Sequence, residues 1–238
     1  MLLFYIRHGD PIYDPDSLTP LGSRQAEAVA KRLARYGLDE IYSSSSTRAV
    51  LTATPTCEIL KKEPVLLDWC HEHLAWQELV HDSEDGRRNW LFAYPPIARK
   101  FVSREFAALG ENWADHPMFE GTKVKSGIER IRRETYAFLS GLGYTYDPEK
   151  NMYKAENPND KRIALFAHQG FGLAFLGTVL GIPYPMFSTH FDMSHTGVTV
   201  INFDENEGWC IPEILQLSND SHLYAEGLPT KYGNSIYF

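Results

Sequence analysis

Leu2-Leu3-Phe4-Tyr5-Ile6-Arg7-His8-Gly9 is the stretch whose reading decides the fold. Five apolar residues with aromatic and β-branched members predict a buried strand, too short for a core helix. The run ends abruptly in a cation, an imidazole and a glycine. In an open α/β sheet, ligands bind in the crevice beyond the carboxyl ends of the strands. That rule puts Arg7 and His8 at a ligand-binding edge, with Gly9 letting the backbone turn away beside the ligand. A guanidinium matches a phosphate oxygen pair, because its planar fork donates two parallel hydrogen bonds. A neutral imidazole can attack phosphorus. Taken alone, the tripeptide fits equally a strand end with two ordinary polar residues, so its partners must decide.

Composition narrows the field. With 238 residues the chain can bury a full core, and its 43% hydrophobic content is that of a folded globular protein. The formal net charge of -8 argues against general affinity for nucleic acid or an anionic membrane. Any anion site must be a local cluster of arginine and histidine inside an acidic protein. Cys57, Cys70 and Cys210 are scattered and odd in number, which implies no disulfide framework. The first residues do not resemble a signal peptide and no segment approaches membrane-spanning length, so a cytoplasmic protein is expected.

From the first strand the chain is expected to loop over Asp10 to Leu18. It should start a helix at Thr19-Pro20, with a hydroxyl cap and proline at the first position. Ala26, Val29, Ala30 and Leu33 carry that helix to Gly37. A second strand over Glu40 to Ser43 runs into Ser43-Ser44-Ser45-Ser46, then a helix with Arg48 in its first turn and Pro55 inside it. Val65 to Leu67 reads as a third strand. This alternation predicts a mostly parallel sheet with helices on both faces, a three-layer α/β/α fold in a single domain over residues 1–238.

The rhythm breaks from Cys70 to about Thr122, where Trp76, Trp90, Tyr94, Phe101, Phe106 and Trp113 are interleaved with charges. Irregular helical segments are expected, forming a lid-like insertion over 73–125. Ser126 to Leu142 returns to helical spacing, and a surface hairpin is expected around Asp147 to Lys150. Ile163-Ala164-Leu165-Phe166 reads as a central strand ending in Ala167-His168-Gln169-Gly170. Strands near Val198–Phe203 and Trp209–Leu217 close the pattern.

Two strand ends thus present His8 and His168, and a third leads into Arg48 at a helix start. The three exits should converge, offering two guanidiniums, two imidazoles and a helix N-terminus to a dianionic phosphoryl group. Arg7-His8-Gly9, Leu18-Thr19-Pro20-Leu21-Gly22 with Gln25-Ala26, Tyr42-Ser43-Ser44 with Arg48-Ala49 and Thr52-Ala53, and His168 ending a hydrophobic strand together resemble the histidine phosphatase superfamily, in its phosphoglycerate mutase-like branch. The resemblance is dense over residues 1 to about 72 and from about 161 to 203. It is weak across the insertion and the last 35 or so residues.

The resemblance implies a phosphoglycerate mutase-like fold with the insertion over the active site. His8 is then the nucleophile, forming a phosphohistidine, while Arg7, Arg48 and His168 clamp the phosphoryl oxygens. These groups can do the electrostatic work that other enzymes assign to Mg²⁺, so no metal and no cofactor is expected. The family places its proton-transferring glutamate shortly after the third strand, where Glu72 stands. Glu78 is the alternative, because the glycine-rich continuation usual after this glutamate is missing. Gly9, Tyr13, Ser44, Gln169 and His195 are the candidates for contact with substrate. His71 and His73 bracket Glu72, but alternate residues of an extended segment point opposite ways, which argues against a shared ion.

The expected activity is hydrolysis of a small organic phosphomonoester. Mutase-type phosphoryl transfer is the runner-up. Mutases of this family carry an asparagine soon after the first motif and paired arginines in the insertion, whereas Asp10-Pro11-Ile12-Tyr13 follows here and Arg87-Arg88 is the only adjacent arginine pair in the insertion. Gln169 also replaces the glycine common after the second histidine. A non-catalytic phosphate-binding or regulatory protein is the third reading. Asp10 beside the anion site is expected to disfavour highly charged substrates. The sequence leaves the oligomeric state open.

Overall fold

The computed structural model describes residues 1–238 apart from 84, 234 and 235. The first strand is β1 (Leu2–Arg7), followed by a small hairpin of β2 (Pro11–Tyr13) and β3 (Asp16–Leu18). Helix α1 (Pro20–Tyr36) leads to β4 (Glu40–Ser44), α2 (Thr47–Leu60) and β5 (Val65–Leu67). The insertion opens with α3 (Glu72–Glu78), a hairpin of β6 (Val80–Asp82) and β7 (Arg88–Trp90), then α4 (Pro95–Phe101) and α5 (Arg104–Leu109). After it come α6 (Val124–Gly141), a hairpin of β8 (Tyr144–Asp147) and β9 (Met152–Ala155), β10 (Arg162–Ala167) and α7 (Gln169–Leu180). The chain continues through α8 (Tyr184–His190), β11 (Val198–Asn202), the short β12 (Glu205–Asn206) and β13 (Trp209–Cys210), β14 (Glu213–Asn219) and α9 (Ser221–Ala225).

The central sheet has the order β14-β11-β1-β10-β4-β5. β1, β10, β4 and β5 run parallel, and β11 pairs antiparallel to β1 and to β14. Only β11 is reversed, so the sheet is mostly parallel. β10 comes late in the chain yet separates β1 from β4. It is therefore the one strand whose end lies next to both His8 and the turn carrying Arg48.

Alternation along β1 shows how the layers form. Phe4 and Ile6 pack with Val29 and Leu33 of α1 and Ala53 and Cys57 of α2 on one face. Leu3 and Tyr5 pack with α6, α7 and the insertion on the other. The insertion does not stand apart from this core: Phe101, Phe106, Trp113 and Phe119 pack around Tyr184 of α8 in the same cluster. Its tryptophans serve packing, with Trp76 edge-on to Trp90 and Trp90 against Gly170 at the start of α7.

Two segments depart from the sequence reading. Asp10 to Leu18 is a hairpin rather than a loop, and the insertion contains the β6–β7 hairpin among its helices. Each of these strands has three residues, too few for an alternation to register. α1 starts as expected, with Thr19 Oγ1 accepting from Gly22 N. α2 does not: its Ser46 cap makes no side-chain hydrogen bond, and Asp16 accepts from Thr47 N (2.8 Å) instead. A carboxylate brought by the hairpin suits a helix N-terminus better than a neutral hydroxyl. Among the described residues no helix is long and apolar enough to cross a membrane.

Candidate active site

The parallel strands deliver Arg7 and His8 from the end of β1, His168 from the end of β10 and Arg48 from the first turn of α2. All four are buried. The His8 ring lies 5.2 Å from that of His168 and 5.8 Å from that of His195, centroid to centroid. Gly9 is required by close approach: a Cβ there would lie 2.6 Å from the Gly22 carbonyl oxygen. Its N–H donates to Thr52 Oγ1 (3.0 Å), which in turn donates to the Arg48 carbonyl (2.7 Å).

Hydrogen bonds fix the state of each imidazole. His8 Nδ1 is 2.7 Å from the Gly9 carbonyl, which can only accept, so Nδ1 carries the proton and Nε2 keeps its lone pair. Burial, then His168, Arg7 and Arg48, push the His8 pKa well below the ordinary histidine value. His8 is thus a neutral imidazole with an Nε2 lone pair, the state in which a histidine can attack phosphorus. Arg48 Nη2 can only donate, so His168 Nδ1 (3.2 Å) accepts and its Nε2–H points to Ser44 Oγ (2.8 Å). Burial and Arg48 hold His168 neutral as well. Ser44 therefore orients His168, and a phosphoryl oxygen reaching that ring must compete with the serine for its N–H.

The arginines are held by the protein, and each keeps its Nε–H unused among the described residues. Arg7 Nη1 donates to the carbonyls of Met193 (2.5 Å) and Tyr232 (2.6 Å), and Nη2 donates to His195 Nε2 (2.8 Å). Arg48 Nη1 pairs with Asp16 (2.8 Å) and its guanidinium lies 5.6 Å from the Tyr13 ring centre. Arg7 Nε and Arg48 Nε are buried and, among the described residues, have no hydrogen-bond partner. Buried donors are almost always paired, so two unpaired ones on buried cations call for an anion.

Glu72 reaches the site from α3. Its two oxygens accept from the Gly170 N–H (2.9 Å) and the Phe171 N–H (3.1 Å) in the first turn of α7. Burial raises its pKa, against the pull of those amides and of Arg48 and Arg7. Glu78 is elsewhere, in a forked ion pair with Arg130 (2.6 Å at its shortest). His71 caps α3 by accepting from His73 N, and His73 turns to Gln77. Among the described residues no group of three or more His, Cys, Asp or Glu is arranged to hold a metal.

The other expected contacts divide. Tyr13, 61% exposed, stands at the mouth over Arg48. Gln169 lies at the rim and donates to Asp192 (2.5 Å). His195 is buried behind Arg7, its pKa pushed down to about 2 by burial and the Arg7 charge. It positions Arg7 rather than facing the opening. Asp10 differs from expectation, because Lys231 (2.9 Å) neutralises it and Thr19 Oγ1 donates to it (2.8 Å). Its carboxylate is occupied by the protein and does not repel an incoming anion.

Sequence reading missed several partners. Tyr5 donates from its hydroxyl to the His168 carbonyl (2.6 Å) and accepts from the His168 N–H (3.2 Å), seating the end of β10. Asp16, Met193, Lys231 and Tyr232 were equally silent. Tyr232 and Met193 act through backbone carbonyls, which no side chain announces.

A sequence profile of the histidine phosphatase superfamily (branch 1) matches residues 3–135, more than half of the chain. The chain belongs to that superfamily. The matched region contains Arg7, His8, Arg48 and Glu72, whereas His168 joins them through the position of β10. No curated protein sequence matches at a significant level. Solved structures of the same fold include a phosphoserine phosphatase from Entamoeba histolytica in complex with phosphoserine, at TM-score 0.58 and 19% identity, covering 93% of this chain and 98% of that one. A mycobacterial glucosyl-3-phosphoglycerate phosphatase in complex with inorganic phosphate matches at TM-score 0.59 and 19% identity, covering 93% and 98%. An Escherichia coli protein described as a putative alpha-ribazole-5'-P phosphatase matches at TM-score 0.59 and 17% identity, covering 92% and 97%. At these identities the likeness concerns the fold of the histidine phosphatases.

Proposed function

We propose that the protein is a phosphomonoesterase that hydrolyses a small organic phosphate through a phosphohistidine on His8. The observation that carries this reading is the pair of buried guanidinium Nε–H groups without a partner among the described residues, together with an imidazole whose Nδ1 carries the proton and whose Nε2 keeps its lone pair. Nε2 of His8 attacks phosphorus, the P–N bond forms and the ester P–O bond breaks. Protonated Glu72 gives its proton to the departing oxygen. The Glu72 carboxylate then takes a proton from water, whose oxygen attacks phosphorus. The P–N bond breaks, releasing inorganic phosphate and neutral His8. Arg7 and Arg48 stabilise the charge spread over the equatorial oxygens, the main contribution a protein makes to phosphoryl transfer.

Hydrolysis is favoured over mutase chemistry by the state of the insertion arginines. Arg87 pairs with Asp85 and Arg88 with Asp82, on the exposed β6–β7 hairpin. Both are committed to neighbouring aspartates rather than to a sugar acid. The three phosphatases that share the fold are named for small phosphorylated substrates, which accords with this class. We read the chain as one domain, because sheet, helices and insertion share one hydrophobic cluster. A reducing cytoplasm suits its three buried free cysteines, with Cys70 and Cys210 pushed up to about 12 by burial.

The test is phosphate release from an aryl phosphomonoester, with and without EDTA, in wild type and His8→Ala. Expected are EDTA-resistant turnover and its loss in the variant, with acid-labile ³²P on wild-type protein after a rapid quench. Turnover that survives His8→Ala overturns the mechanism. Stabilisation by phosphate without any turnover moves the protein to the non-catalytic reading.

A further inference from the structure

A cavity of about 250 Å³ opens beside the phosphoryl site. Phe92 from the insertion, Gln169 from the start of α7, His190 at the end of α8, and Phe191 and Asp192 after it line the cavity. Its position ties it to the chemistry. Gln169 directly follows His168, and Asp192 directly precedes Met193, whose carbonyl accepts from Arg7 (2.5 Å). One cavity wall is thus continuous with the backbone that holds the phosphate-binding arginine.

We infer that this cavity receives the leaving group, and that it selects phosphomonoesters of short amino alcohols. This rests on the phosphomonoesterase reading and adds the substrate class. Asp192 is exposed and fixed in place: Gln169 Nε2 (2.5 Å) and its neighbour Met193 N (2.6 Å) both donate to Oδ1. Among the described residues Oδ2 has no hydrogen-bond donor, and no lysine or arginine forms an ion pair with Asp192. A carboxylate already oriented by two donors loses little entropy on meeting a cation. The aromatic rings of Phe92 and Phe191 add a surface favourable to an ammonium. Arg7 is bound to the carbonyl of Met193, the residue after Asp192, so the site presents a cation and an anion on adjoining backbone. A molecule with a phosphate at one end and an ammonium at the other, joined by a short aliphatic spacer, matches that pair. An anionic leaving group would meet Asp192 with like charge.

Two matched pairs test this. Phosphoethanolamine against 2-hydroxyethyl phosphate reads turnover. 2-Aminoethylphosphonate against 2-hydroxyethylphosphonate, which cannot be hydrolysed, reads binding through the shift in Tm. The amine member should lead by about tenfold or more, the fold-change of one 1.4 kcal/mol contact. Asp192→Asn retains the Oδ1 acceptor and should bring both ratios towards one. Equal values for the pairs in wild type, or a preference that survives Asp192→Asn, overturn the inference. Aryl phosphate hydrolysis measured alongside separates the two readings. If neither the aryl phosphate nor phosphoethanolamine is hydrolysed while the phosphonate preference holds, the phosphatase assignment falls and the ammonium pocket stands.

Discussion

Glu72 and Glu78 lie at the two ends of the same seven-residue helix, and their carboxylates do different work. Glu72 is caught by two amides of α7 beside His168, and Glu78 by Arg130. Glu72→Gln removes the transferable proton but keeps one amide acceptor. We expect kcat to fall by roughly 10²–10⁴-fold, more for alkyl than for aryl esters, with Tm nearly unchanged. Glu78→Gln should do the reverse, lowering stability by about 1–3 kcal/mol while turnover per folded molecule holds. Steady-state kinetics and thermal melts on the two variants check both halves, and equal kinetic loss in both would remove the distinction. The sequence reading favoured Glu72 and kept Glu78 as the alternative. What separates them is Arg130, 52 residues downstream of Glu78, and a helix start about 98 residues beyond Glu72.

At the scale of elements, the β2–β3 hairpin is the part the sequence concealed and the site depends on. It carries Asp16 to the N-terminus of α2 and to Arg48, and Tyr13 to the far side of the same guanidinium. Its seat is the contact between Gly22 and Asp10, where an added Cβ would lie 2.2 Å from the Asp10 carbonyl oxygen. Gly22→Ala must therefore move either the hairpin or the start of α1. The expected cost is about 1–3 kcal/mol, with a loss of activity larger than that of stability because Arg48 loses its brace. Denaturant titration and kcat/KM measured together test this, and a variant with native activity would show the hairpin to be dispensable. α1 was legible from an apolar stripe with both end signals, α6 from its stripe, and α7 from a long run apolar on every side that stops at Gly181. The hairpin was not, because its three-residue strands pair only with each other.

Across the molecule, His8, His168, His195 and His222 are all buried, and burial depresses each of their pKa values, His222 to about 4. In the unfolded chain each titrates near 6.5, so below that pH the unfolded state binds protons the folded state refuses. Stability is fully present above about pH 6.5 and declines as pH falls, by at most about 1.4 kcal/mol per pH unit for each such histidine. The urea midpoint should drop steeply between pH 6.5 and 5, and His222→Gln should make the drop shallower. A midpoint flat across that range would mean the histidines take up protons while folded. The sheet's alternation of strands and helices was legible in the sequence, but its order was not, since periodicity carries no record of which strand lies beside which. That order has a consequence during synthesis. β1 and β4 are made early, yet the strand that joins them is β10, complete only at residue 167. At 5–20 residues per second the ribosome needs roughly 8–30 s to pass from the nucleophile's strand to its neighbour. For that interval both long edges of β1 are open templates, since β11 is made later still, and the nascent chain must be shielded from other nascent chains until these partners arrive.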